Sequence, residues 1–141
     1  MKIRLRIVTP NGIKVDEDTG MIVMRCTTGD MGVLPGHEAR SAVLNYGVLR
    51  ILDDDMERRI AVYGGLAIIE KDVLTILTHD AEWPDEIDQA RANADREHAE
   101  RRLQEKVDDI EIQEDLVRLR RALVQIEVSS YPYYGKRRRE D

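Results

Sequence analysis

The sequence predicts an antiparallel β-sandwich or barrel followed by a hairpin of two antiparallel helices. Three observations predict it. Up to about Trp83 the apolar residues recur with period two, the spacing of a strand with one buried face. Between Asp85 and Glu127 there is neither Gly nor Pro, and the apolar residues take up helical spacing. Trp83-Pro84-Asp85 marks the change of regime. The expected boundaries are residues 1–84 for the sandwich, 85–130 for the hairpin and 131–141 for a basic tail.

The strands read in order. Ile3, Leu5 and Ile7 alternate with Lys2, Arg4 and Arg6, and Asn11-Gly12 follows as a tight turn. Apolar runs recur at 21–24, 47–52, 60–63, 66–69 and 73–77. Between them stand Gly29-Asp30-Met31-Gly32, Asp53-Asp54-Asp55, Gly64-Gly65 and Lys71-Asp72, all turn chemistry. Three consecutive acids fit a hairpin tip in water, and Gly64-Gly65 fits a sharp sheet turn or close backbone packing. No βαβ rhythm is visible, which excludes a parallel nucleotide-binding sheet.

Pro84 suits a first helical turn, and Asp85 and Glu86 complement a helix N-terminus. Ile87, Ala90, Ala94 and Leu103 fall mainly on one face of the first helix. In the second helix Ile112, Leu116, Leu119, Leu123 and Ile126 follow steps of four, three, four and three, a narrow coiled-coil-like seam. Val107-Asp108-Asp109 is a polar break at which the chain can reverse. A hairpin that buries one seam on itself has a thin core and can repack against another surface, as a two-state element requires.

Hydrophobic residues make up 42% and charged residues 35% of the 141 positions, with no Phe, one Trp and five Tyr. The core must therefore be aliphatic. The net charge of −6 argues against nucleic acid as the main ligand, since phosphate binding needs a basic surface. Lys136-Arg137-Arg138-Arg139 is the only counter-signal, and terminal basic clusters are mostly solvated tails. No apolar run approaches the roughly 20 residues of a membrane span, and the alternating start lacks the apolar block of a signal peptide. Cys26 is alone, so no internal disulfide or cysteine-rich metal site forms. A soluble chain in a reducing compartment is the expectation.

Chemistry finds little purchase. His37, His79 and His98 are dispersed, no zinc, P-loop or nucleophile-elbow motif is present, and the acids lack the alternation of a calcium loop. One loop stands out, Gly29-Asp30-Met31-Gly32-Val33-Leu34-Pro35-Gly36-His37. Its glycines and proline fix a rigid bend that leaves Asp30, Met31 and His37 at the surface. A purely structural turn, with His37 bonding backbone, is the plainer reading of the same residues.

Gly32-Val33-Leu34-Pro35-Gly36-His37 resembles the Gly-Ile-Leu-Pro-Gly-His signature of the epsilon subunit of F-type ATP synthases. The resemblance continues in family order through Val8-Thr9-Pro10, Gly64-Gly65-Leu66 and Val73-Leu74-Thr75-Ile76-Leu77. It ends in Ile87-Asp88-Gln89-Ala90-Arg91-Ala92, similar to the family's Ile/Leu-Asp-x-x-Arg-Ala motif. It implies a ten-stranded β-sandwich followed by two antiparallel helices, and a non-catalytic role in a rotary motor that makes ATP from a proton or sodium gradient. The implied partners are the gamma subunit, the membrane c-ring (met through Asp30, Met31 and His37) and, when the hairpin extends, the alpha/beta catalytic head, where it blocks hydrolysis. The implied location is peripheral, on the cytoplasmic face of a bacterial plasma membrane.

The resemblance requires no cofactor. It allows ATP as a regulatory ligand at Asp88 and Arg91, with Arg121 from the second helix. His98 and Gln125 stand where the family often places basic groups, so charge that attracts phosphate is reduced. Glu38-Ala39-Arg40 replaces the family's common Ala-Pro-Leu beside the presumed ring contact. On pattern alone the alternative is a free-standing adaptor, one partner on the sandwich and another on the hairpin.

Overall fold

The computed structural model describes residues 1–105 and 108–130. The basic tail, Tyr131-Pro132-Tyr133-Tyr134 and Val107 lie outside the described residues. Eight strands form one hydrogen-bonded sheet folded on itself: β1 (Ile3–Thr9), β2 (Gly12–Thr19), β3 (Met21–Cys26), β4 (Gly29–Val33), β5 (Arg40–Asp53), β6 (Met56–Glu70), β7 (Val73–Leu77) and β8 (Ala81–Glu82). The order is β2-β1-β7-β6-β5-β3-β4, with β8 added on β6. All pairings are antiparallel except β1 with β7, which is parallel.

The described residues hold eight strands, near the ten that the resemblance implies, and β5 and β6 are each long enough to serve both layers of the sandwich. Gly64-Gly65 does not end a strand; the pairing of β6 with β5 is interrupted there, and the close backbone packing that the pair of glycines allowed is what is found. Pairing runs from Arg40↔Ile69 to Leu44↔Gly65, skips Asn45 and Gly64, and resumes at Tyr46↔Tyr63. Across this gap the parity of both strands shifts. Ile60 and Val62 face the sandwich core before it, and Ala67 and Ile69 after it. Only glycine fits at position 65, where φ is +126° and a Cβ would lie 2.1 Å from the Leu77 carbonyl oxygen.

The core is aliphatic as expected. Ile3, Leu5, Ile7, Ile22, Met24, Ile60, Leu74 and Ile76 are fully buried, and every member of this cluster lies within residues 3–83. The turns fall where the sequence places them: Asp54 and Lys71-Asp72 carry the positive φ of tight turns at the β5–β6 and β6–β7 hairpin tips. The segment from Gly29 to Val33 is strand, paired with β3, and only the residues after it form a loop.

Pro84–Glu86 form a separate 3-10 turn, so Asp85 and Glu86 do not start the long helix. Helix α1 (Gln89–Gln104) begins after Asp88, whose carboxylate accepts from the Arg91 N–H. Helix α2 (Asp109–Ser129) is capped in the same way by Asp108. The helices pack against each other, with Arg102 near the end of α1 bonded to Asp115 near the start of α2. Their phase differs from the expected one. Ala92 and Ala99 are the buried alanines of α1, whereas Ala90 and Ala94 are exposed. In α2 Ile112, Leu116, Leu119 and Ile126 are half-buried, and Leu123 is 48% exposed and leaves the seam. The fully buried positions are Asp115, Ala122, Val124 and Val128.

Candidate functional site

The parity shift in β5 and β6 gives the sandwich two outward apolar faces. On the 46–50 and 59–63 halves of the strands, Val48, Ala61 and Tyr63 form a second buried cluster with Val124 and Val128 of α2, flanked by Tyr46 and Ile87. The hairpin is thus docked on the sandwich. On the other halves an apolar row remains bare. Val43 pairs with Leu66, Leu66 with Leu77, Leu77 with Val8, and Val8 with Ile13. Residues directly opposite in a sheet share a face, so five apolar side chains line up across five strands, roughly 19 Å at ~4.8 Å per strand. Val43 and Ile13 are more than half exposed. Val8, Thr9, Pro10, Leu77, Thr78 and His79 line a shallow open depression beside the row.

Polar contacts concentrate where α2 meets β8. Arg121 donates to Asp80 Oδ2 at 3.0 Å and Glu82 Oε1 at 3.3 Å, and its guanidinium lies 4.0 Å from the centre of the Tyr63 ring. The Tyr63 hydroxyl donates to Glu82 at 2.6 Å, and Gln125 donates to it at 3.0 Å. Burial, then the bond to Glu82, pushes the Tyr63 phenol well above its ordinary pKa. Burial opposes the Arg121 charge, but Asp80, Tyr63 and Glu82 together hold its pKa above the usual value. Farther along the helix, Arg25 Nη1 lies 3.6 Å from Glu127.

The cleft beside this cluster, about 290 Å³, is lined by Glu82, Glu86, Asp88, Arg91, Ala92, Asp95, Arg121 and Gln125. It brings Asp88, Arg91 and Arg121 together, as expected. Asp88 is occupied as a helix cap, and Arg121 is already neutralised by Asp80 and Glu82. Arg91 is exposed, and among the described residues its guanidinium has no carboxylate partner. Four carboxylates thus face two arginines.

Asp30 and Met31 lie on β4, and His37 lies in the following loop. Asp30 is exposed, 3.8 Å from Arg25 Nε. Met31 is not free at the surface: it packs against the sandwich core. The His37 ring stands 3.0 Å from the Glu38 carbonyl, the His37 backbone N–H donates to the Leu34 carbonyl, and the Gly36 N–H donates to the Asp72 carboxylate. The loop is thereby built as a rigid turn.

Family models of the ATP synthase delta/epsilon chain match this sequence twice, the beta-sandwich domain over residues 2–84 and the long alpha-helix domain over 85–130. The chain belongs to the ATP synthase epsilon chains. The epsilon chain of Bacillus licheniformis is 35% identical over 127 residues, covering 90% of this chain and 97% of that one. The epsilon chain of Bacillus velezensis is 37% identical, with 90% and 96% covered. In solved structures, a chain of the Euglena gracilis mitochondrial ATP synthase superimposes with a TM-score of 0.80 at 24% identity, covering 92% of this chain and 82% of that one. A chain of the Tetrahymena thermophila enzyme's central stalk and c-ring does so at 0.61 and 15%, covering 92% and 97%. The epsilon fold, a sandwich with a two-helix hairpin, is therefore what this sequence builds. Among the described residues no helix is long and apolar enough to cross a membrane.

The sequence reading missed Tyr63, Asp80 and Glu82 of this epsilon chain as the docking partners of α2, and it missed the bare row. Val43, Leu66 and Leu77 each sit at the outward parity of an otherwise regular strand, a signal visible only once register is known.

Proposed function

We propose that this epsilon subunit is a non-catalytic part of the rotor, joining gamma to the c-ring during ion-driven ATP synthesis and restraining ATP hydrolysis through its helices. The observation that carries the reading is the bare in-register row Val43–Leu66–Leu77–Val8–Ile13. A contiguous exposed apolar stripe marks a protein interface, and it lies on a sandwich face the hairpin leaves open. Gamma is its partner in this reading. The Asp30 and His37 region meets the polar loops of the c-ring, its carboxylate exposed and its turn stiff enough to carry torque.

The hairpin is the regulatory element. Val124 and Val128, the polar cluster around Arg121 and the Arg25–Glu127 pair hold it, so a modest difference in binding moves it between the sandwich and the alpha/beta catalytic head. Shifting such a balance from 1:99 to 99:1 takes about 5.5 kcal/mol. The complex would stand on the cytoplasmic face of a bacterial plasma membrane, with this subunit peripheral. Reconstitution with gamma and the c-ring tests the reading: the intact chain should co-assemble, and a chain carrying Leu66→Glu should not. Equal assembly of both would overturn the assignment of the row.

A further inference from the structure

We infer that Arg121, Asp80, Glu82 and Tyr63 form an ionic latch that holds α2 on the sandwich and sets how readily the hairpin departs. The receiving half is fixed by the sheet. Ala61 pairs with Glu82 and Val62 with Ala81, while the Asp80 carboxylate accepts the Ala81 N–H at 2.9 Å and the Asp80 backbone carbonyl accepts the Tyr63 N–H at 3.3 Å. Both carboxylates are therefore in place before the helix arrives. The donating half, Arg121 and Gln125, lies one turn apart on α2 and converges on a single oxygen, Glu82 Oε1. The Tyr63 hydroxyl reaches the same oxygen, and its ring receives the face of the guanidinium.

Because the apolar contact is small, these bonds decide the docked state. Two carboxylates for one guanidinium leave the catch ionic and partly open to solvent, so salt weakens it. With α2 docked, Glu82 is only 21% exposed and accepts from Arg121, Gln125 and Tyr63; lifting α2 removes two of these three donors. The catch also uses Arg121 from within, so an added anion must compete with Asp80 and Glu82 for it.

This rests on the hairpin being mobile, but the two fail separately: hydrogen exchange in the free chain reads the latch, and ATPase of the assembled complex reads the brake. In the full chain, Glu82→Gln should raise amide exchange across residues 121–130 about tenfold, the scale of losing a charge-assisted bond. Exchange in β1 and β7 should stay unchanged. Added sodium chloride should speed α2 exchange in the parent chain, less so in Glu82→Gln, where the Arg121–Asp80 pair remains, and least in Arg121→Gln. Tyr63→Phe keeps the ring under the guanidinium and should give a smaller rise, so it serves if Glu82→Gln folds poorly. Glu114→Gln, on an exposed part of α2, should change nothing. Unaltered α2 exchange in both Glu82→Gln and Arg121→Gln, or a loss of protection spread through β1 and β7, would overturn the latch.

Discussion

Arg58 of β6 forms an ion pair with Glu17 of β2 beneath the surface of the sandwich, the arginine 2% and the glutamate 10% exposed. The same guanidinium lies 5.5 Å from the centre of the Trp83 ring. One buried cation thus joins an edge strand, a central strand and the residue at which the chain leaves the sandwich. Breaking such a pair from one side leaves a buried charge without its partner and costs about 3 kcal/mol. Glu17→Ala should lower stability to urea by that order. Trp83, the sole tryptophan, reports it directly, since its emission should shift to the red at a lower urea concentration than in the parent.

The Tyr63 phenol gives the docked hairpin an alkaline limit. Its pKa is raised in the folded chain by burial and by Glu82, so the folded state holds the proton more tightly than the unfolded state does. The stabilisation is complete below the ordinary tyrosine pKa of about 10 and is lost as pH rises beyond it. Glu82, Arg121 and Gln125 reach the same phenol; the carboxylate opposes the phenolate, and the guanidinium and the amide favour it. Helical circular dichroism should therefore fall above about pH 10 in the parent. Tyr63→Phe should flatten that decline while leaving the curve near neutral pH almost unchanged.

The bare row predicts a binding defect without a folding defect. Leu77 is 43% exposed, and exposed substitutions away from special contacts usually change stability by less than about 0.5 kcal/mol. Leu77→Glu should unfold at nearly the parent temperature, yet bind gamma at least about tenfold more weakly, as expected when a charge enters an apolar contact. Calorimetric titration of the purified subunits measures both.

Much of the architecture could be read from local patterns. Ile3, Leu5 and Ile7 alternate in the sequence and are all fully buried, because period two and one buried face are the same physical statement. The hairpin tips at Asp54 and Lys71-Asp72 were legible because few residues accept positive φ. The parity shift at Asn45 and Gly64 was not, since the place where pairing is interrupted depends on the partner strand. For that reason both outward faces of β5 and β6 went unseen. Helical spacing announced a seam in α2 but not its neighbours. Val124 and Val128 belong to the sheet contact, and Asp115, an acid in the middle of the buried surface, is tolerated because Arg102 and Arg118 both bond to it. Glu82 carries no local mark at all: it acquires its role only when β8 and α2 meet.

The cleft at Asp88 is acidic, and its better cation is engaged. An ATP phosphate entering it meets Glu82, Glu86 and Asp95 and finds Arg91 as the one arginine without an acid partner among the described residues. Titration of the full chain with MgATP should give no resolved heat, and Arg91→Ala should not alter that baseline. A saturable signal removed by Arg91→Ala would show instead that the carboxylates move aside for nucleotide.

The sandwich core contains no helical residue, and this separates the two jobs of the molecule. All members of the main cluster lie between Ile3 and Trp83, so removing the helices leaves that core intact. What is lost is the cover over Val48, Ala61 and Tyr63, together with the bonds to Asp80 and Glu82. Truncation after Glu86 keeps the buried Pro84 and the Lys14–Glu86 ion pair, which pin the end of the sandwich. The truncated chain should fold, retain the bare row and assemble with gamma and the c-ring. Without α1 and α2 no rod reaches the catalytic head, so ATP hydrolysis by the assembled complex should rise above that of the parent. Assembly with unchanged hydrolysis would leave the sandwich as coupler and remove the brake; failure to assemble, in a chain that circular dichroism shows to be folded, would place part of the rotor contact on the helices.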